Sequence, residues 1–330
     1  MERITTRLAV AAAAAGLALL APGCAGNATT ATGTNTSRVS ATSRALPNPF
    51  TITARHTARA LGLDHPDAVA IGPSGNLYVT DLSQRVTVIS PAGKVVRRWG
   101  EPGTGTGEFR FVSSDPSDPA DIHGSITVGP DGKVYVSDSG NGRVQVFTPQ
   151  GQFVRQFGRY GSGKGQFLNA FDLVVDGAGN VYVADDQAET LTKFSPAGKP
   201  VWLIGGGASR DPDLNGHFHV AVIDSHGRLV VGNDDQSRVL YIDSSGHKVD
   251  AFGNGQFGVG GVSVDTAGRT YLAGFCAHHV PTLVFDRTHR LIAKWPWPLH
   301  SPPLLGRHGE MFALACDGSI LRLHITLPGA

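Results

Sequence analysis

Several things are scarce in this 330-residue chain, and each scarcity excludes something. No Lys/Arg run exceeds Arg97-Arg98, so the basic stripe that a nucleic-acid partner needs is missing. No Gly-x-Ser-x-Gly elbow occurs, which removes the usual α/β serine hydrolase. Gly158 to Gly165 (GRYGSGKG) mimics a phosphate loop, but no Ser or Thr follows Lys164 and no helical pattern follows the loop, so it reads as a turn. Long helical patterns are few while glycine is abundant, at 43 residues, and the two together indicate an all-β domain.

Cysteine is limited to Cys24, Cys276 and Cys316. The first follows Arg3, Arg7, an apolar run from Leu8 to Leu20 and then Ala21-Pro22-Gly23. A charged start, a run too short to cross a bilayer as a helix and small residues at the end define a secretory signal peptide over residues 1–23. The small residues before Cys24 resemble a bacterial lipobox, although Ala21 stands where that pattern prefers Leu; an ordinary secretory signal is the alternative. The resemblance implies a lipid on Cys24 and display on the outer side of the cytoplasmic membrane. Residues 24–47 are rich in Ser, Thr, Asn, Gly and Ala, too polar to offset the entropy of ordering, and are expected to form a flexible tether. Cleavage takes two of the 28 basic and one of the 27 acidic residues, leaving the mature chain formally neutral.

Residues 48–330 hold an internal repeat. Its clearest copies start at Pro66, His123, Ala170 and Phe218, a degraded copy starts at Val259, and the sixth is truncated. Turn glycines at Gly75, Gly132, Gly179, Gly227, Gly268 and Gly309 mark a register that fits four short strands per copy. Leu77 and Val79, Val134 and Val136, and Val181 and Val183 alternate as strand residues do. The last copy stops after a third strand, Ile320 to Leu327, and Phe50 to Leu61 reads as its missing fourth. Pairing the two chain ends would close a ring and remove the exposed sheet edges.

The Gly-Asn-x-Tyr-Val-x-Asp core, the Asn-x-Arg-Val start of the third strand and the Gly-x-Gly-x-Gly-x-Phe boxes at Gly103 to Phe109 and Gly161 to Phe167 resemble the NHL-repeat family over residues 50 to 327. That resemblance implies an all-β, six-bladed β-propeller with the N-terminal strand closing the last blade. Function does not follow from it, since similar propellers include amidating lyases, lactonases, sensor domains and protein-binding modules.

In such a ring the segment before each first strand and the loop between second and third strands share the channel mouth. The expected rim residues are His65, His123, His217, His219 and His300, with Asp185, Asp186, Asp234, Asp235, His278 and His279. Imidazole and carboxylate on separate blades suit a transition metal, so a divalent ion is one expectation. His219 is the candidate ligand, because it resembles a metal-binding His of the amidating lyases. The equivalent places hold Asp67, Gly124, Phe171, Gly260 and Ser301, so the resemblance does not extend to that family's three histidines. His65 and His123 read more simply as loop surface. Asp81 and Asp138 recur in phase with Arg85, Arg143 and Arg238, which suggests a structural pairing of second and third strands. Trp99, Phe157, Phe252 and Trp295 close fourth strands and suit packing between blades.

Cys276 and Cys316 fall in equivalent loops of adjacent copies, close enough for a disulfide. The competing expectation joins Cys276 to His278 and His279 as metal ligands.

The functional expectation is a monomeric, membrane-anchored module that binds a protein, peptide or small ligand at the channel mouth without chemistry. The alternative is a metal-dependent lyase or lactonase at the same place. Replacing Cys24 by Ser should move the protein from the membrane to the soluble fraction, and continued retention would contradict lipidation.

Overall fold

The computed structural model describes residues 46, 48–113, 122–207, 209–253, 255, 258–274, 276, 280–306 and 310–327. The stretches expected to be a signal peptide and a tether, up to residue 45 and including Cys24, lie outside the described residues, as do His278, His279 and the expected turn glycine Gly309.

Six four-stranded antiparallel sheets form six blades. Blade 1 runs Pro66–Ile71, Leu77–Asp81, Arg85–Ile89 and Val95–Trp99. Blade 2 runs Ile126–Val128, Val134–Asp138, Arg143–Phe147 and Phe153–Phe157. Blade 3 consists of Ala170–Val175, Val181–Asp185, Thr190–Phe194 and Pro200–Gly205, and blade 4 of Phe218–Ile223, Leu229–Asn233, Arg238–Ile242 and Lys248–Phe252. Blade 5 has Gly261–Val264, Thr270–Ala273, Thr282–Phe285 and Leu291–Trp295. Blade 6 has Leu304–Leu305, Met311–Leu314 and Ile320–Ile325, with Phe50–His56 from the start of the chain as its outermost strand. In blades 1 to 5 the hairpins joining first and second strands turn on glycines held at positive φ, Gly75 at 78° and Gly132 at 79° among them, a region that a Cβ makes costly.

Packing lies between blades rather than inside them. On the second strand of blade 1, Leu77 and Val79 join Phe312, Leu314 and Ile320 of blade 6. Tyr78, between them in sequence, joins Val134, Val136 and Phe147 of blade 2 instead. Second strands are therefore buried on both faces, as the unbroken burial of Leu77–Asp81, Val134–Asp138 and Val181–Asp185 shows. The alternating apolar residues therefore do not mark a single buried face, because each face meets a neighbouring blade. Similar cores fill the seams between blades 2 and 3, 3 and 4, 4 and 5, and 5 and 6. Trp99 and Trp295 lie in these seams, as their places at the ends of fourth strands suggest.

The closing strand is shorter than the sequence indicates. Phe50 pairs with Ile325 and His56 with Ile320, with a bulge between Ile52 and Ala54. Thr57 then accepts the Ala60 N–H as an N-cap and starts a one-turn helix, Ala58–Leu61, that ends at Gly62 in the left-handed region. The third strand of blade 6 ends at Ile325 rather than Leu327. Cys276 and Cys316 are joined by a disulfide with a Cα–Cα distance of 5.6 Å, linking the loops of blades 5 and 6. Closing a 40-residue loop restricts the unfolded chain. Such a restriction contributes on the order of 4 kcal/mol.

Phe50 is 5% exposed and its ring centroid lies 4.9 Å from that of Trp295. Phe50→Ala should lower unfolding free energy in a denaturant titration by about 3–5 kcal/mol. A loss under about 1 kcal/mol, the size of a surface change, would contradict the closing role of this strand.

Candidate functional site

The six inner strands surround a central cavity of about 750 Å³. Its wall is largely aliphatic, with Val69, Ile126, Leu173, Val262 and Leu304 among the lining residues. Polar side chains gather where the inner strands begin. In blade 3 the register shifts between Ala170 and Asp172, so Asp172 stands opposite Ala184, one residue before the end of the second strand. His219 occupies the same place in blade 4, opposite Gly232. In blade 1 the shift between Pro66 and Ala68 makes Asp67 the extra residue, and it too lines the cavity.

These residues form a chain of contacts around the mouth. His300 Nε2 of blade 6 lies 3.6 Å from Asp67 Oδ1 of blade 1, and Asp67 Oδ2 accepts the Gly124 backbone N–H at 2.7 Å. Next along the chain, Ser125 donates its hydroxyl to Asp172 Oδ1 at 3.2 Å, and Asp172 Oδ2 lies 3.7 Å from His219 Nδ1. His219 is 6% exposed and packs edge-on against Phe171, with centroids 5.1 Å apart. The polar collar thus spans blades 6, 1, 2, 3 and 4. Blade 5 contributes Gly260 and Gly261 to the wall at this level, a side with no side chain. A second cavity of about 770 Å³, beside the Ala58–Leu61 helix, shares Asp67 and His300 with the first.

The remaining expected rim residues go elsewhere. Asp185 is 1% exposed, and its carboxylate accepts the N–H groups of Leu168, Asn169 and Ala188. Burial lifts its carboxyl above the ordinary value against the pull of those three donors. It therefore fastens the incoming loop of its blade and does not line the channel. Asp81 and Asp138 do the same for Asp64 and Arg110. Of the expected Asp–Arg pairs, Asp138 with Arg143 forms at 2.7 Å, whereas Arg238 reaches Asp213 in the loop before blade 4. Asp81 has Arg85 opposite in register but takes its hydrogen bonds from the Asp64 and Ser83 N–H groups and the Ser83 hydroxyl. Asp234 accepts the Val259 N–H, tying blade 4 to blade 5. His65 is exposed, pairs with Asp64 at 2.8 Å and borders the second cavity. The backbone at His123 pairs with Val112 before blade 2.

His217, Asp186 and Asp235 do come together, on the outer rim between blades 3 and 4. His217 Nδ1 lies 2.9 Å from Asp235 Oδ1, and Nε2 lies 3.9 Å from Asp186 Oδ1. Desolvation opposes the imidazolium, but the Asp235 bond and the nearby Asp186 and Glu189 charges outweigh it and raise the His217 pKa above 6.5.

Among the described residues no group of three His, Cys, Asp or Glu side chains is placed to hold a metal ion. No helix among the described residues is long and apolar enough to cross a membrane.

Comparison with known proteins agrees with the architecture. Residues 124–201 match a family described as 6-bladed beta-propeller. Over 189 residues the chain is 29% identical to peptidyl-glycine alpha-amidating monooxygenase A of Xenopus laevis, covering 40% of this chain and 19% of that protein. Over 143 residues it is 26% identical to NHL repeat-containing protein 3 of Mus musculus, covering 42% and 32%. The chain thus spans between a fifth and a third of the length of these relatives. Among solved structures, a gluconolactonase from Xanthomonas campestris superposes with a TM-score of 0.58 at 16% identity, covering 85% of this chain and 96% of that one. A streptogramin B lyase gives 0.57 at 11% identity, covering 84% and 98%. Such identities speak to fold alone: the chain is a six-bladed β-propeller with NHL-like repeats.

The raised His217 pKa carries a sign. Its stabilising effect is fully present below the unfolded-state value of about 6.5 and is lost as pH rises through the folded-state value. An NMR titration of the His217 ring should give a midpoint above 6.5 that falls in Asp235→Asn. An unchanged midpoint in that variant would contradict the pairing.

Proposed function

We propose that this propeller is an exported binding protein, held to a membrane by a lipid on Cys24, that takes a small organic ligand into the mouth of its central channel. The observation that carries the reading is the collar: one run of polar contacts from His300 through Asp67, the Gly124-Ser125 segment and Asp172 to His219, set above an aliphatic wall. A cavity of about 750 Å³ suits a small molecule. Removing a ligand's apolar part from water supplies the driving force, about 25 cal/mol per Å² buried, and the fixed collar supplies orientation.

One feature favours a second reading. The His219 imidazole, within ion-pair distance of a carboxylate and facing a cavity, is the arrangement a general base uses. The similar structures named a gluconolactonase and a streptogramin B lyase put ring opening of a lactone first among reactions to try.

A thermal-shift screen of small molecules, repeated on Ala68→Trp to fill the channel and on His219→Ala to cut the collar, tests the proposal. Ligands that stabilise the wild type should bind His219→Ala at least about tenfold more weakly, about 1.4 kcal/mol, and should not shift Ala68→Trp. Equal shifts in Ala68→Trp would place binding outside the channel. Turnover of an aldonolactone or a streptogramin B that disappears in His219→Ala would replace binding with catalysis.

A further inference from the structure

The charges that line the channel are one-sided. Asp67, Asp172 and Asp224 border it, and among the described lining residues there is no Lys or Arg. Asp224 sits in the hairpin at the far end of the blade 4 inner strand, where the Arg228 guanidinium holds it at 2.7 Å. Asp67 and Asp172 are different. Among the described residues the basic side chains beside them are imidazoles, His300 and His219.

We infer that the channel ligand carries an ammonium group, seated between Asp67 and Asp172 with its apolar part along the aliphatic wall. This rests on the channel-binding reading and narrows it to a chemical class. The two carboxylates, from the blades on either side of blade 2, reach adjacent residues of the segment that leads into its inner strand, Asp67 the Gly124 N–H and Asp172 the Ser125 hydroxyl. An ionised carboxylate has about four acceptor positions, and the contacts described for each aspartate use about half of them. An ammonium brings three donors and no acceptor, which matches acceptor-only groups. Asp67 and Asp172 side chains are 14% and 30% exposed, so the attraction acts in a partly dry site where Coulomb energy is larger than in bulk water. A carboxylate or phosphate ligand would meet two like charges with no fixed cation, so the same groups that attract amines reject anions.

The test compares three phenylalkyl probes of similar size by isothermal titration calorimetry on the purified protein: 4-phenylbutylamine, 4-phenylbutanol and 4-phenylbutanoate. The amine should bind at least about tenfold tighter than the alcohol, and the carboxylate weakest. Asp67→Asn and Asp172→Asn should each weaken the amine by a larger factor than the alcohol and so remove most of the amine's advantage. Because the wild-type ranking needs no variant to fold, it decides alone. An alcohol that binds as tightly as the amine, or a carboxylate that binds tightest, overturns the ammonium assignment and leaves channel binding standing. Failure of all three probes overturns the assignment as well, and the channel-filling screen then decides whether the channel reading falls with it.

Discussion

Side chains of each second strand point into two different seams, and everything else in this molecule depends on that. Tyr78 packs toward blade 2 while its neighbours Leu77 and Val79 pack toward blade 6. A single blade would leave both faces in water, where each large apolar side chain forgoes roughly 1.5–3 kcal/mol of burial. No blade has a core of its own, so stability comes from completing the circle. The chain start must therefore return to the chain end. Phe50 serves this by packing on Tyr271 and Trp295, and Cys276–Cys316 fastens the adjoining loops covalently.

The ring also makes the collar possible. Each contact in it joins two blades: His300 to Asp67, Asp67 to Gly124, Ser125 to Asp172, Asp172 to His219. Such contacts exist only because six inner strands start at one end of the channel and lean on their neighbours. Asp67, Asp172 and His219 sit on strands anchored in packed seams, while His300, Gly124 and Ser125 lie in the short segments leading into strands, and a pre-arranged site loses less entropy when it binds. Burying these polar groups is tolerated because each aspartate has donors from neighbouring backbone, hydroxyl or imidazole groups.

Blade number, strand count and closure by the N-terminal strand were legible in the sequence because they rest on periodic signals: turn glycines, strand alternation and a missing fourth strand. His219 and the His217, Asp186 and Asp235 group were legible by counting from those glycines. Asp172 was not. Counting aligned Phe171 with His219, but the bulge of blade 3 lies just before Asp172 whereas that of blade 4 lies beyond Val220, so in register Asp172 is the residue that matches His219. A bulge leaves no residue-type signature here, so no count along the chain could detect it. Asp185 misled for another reason. Its position in the repeat is right, yet the incoming loop lies close enough to bring three N–H donors onto its carboxylate. Arg238 likewise looked like a partner for its own strand, whereas Asp213, from the longer loop before blade 4, captures it together with Lys248.

Closure by the chain's two ends is the central claim, and a cross-link tests it most directly. Thr51 and His324 are register partners on the outermost pair of strands of blade 6, and both are exposed. With cysteines at these two positions, mild oxidation of the folded protein should join residues 51 and 324 within one chain, as read by mass spectrometry of the digested protein, and should raise the unfolding temperature. Two free thiols after oxidation, or bonds formed only between molecules, would contradict the ring.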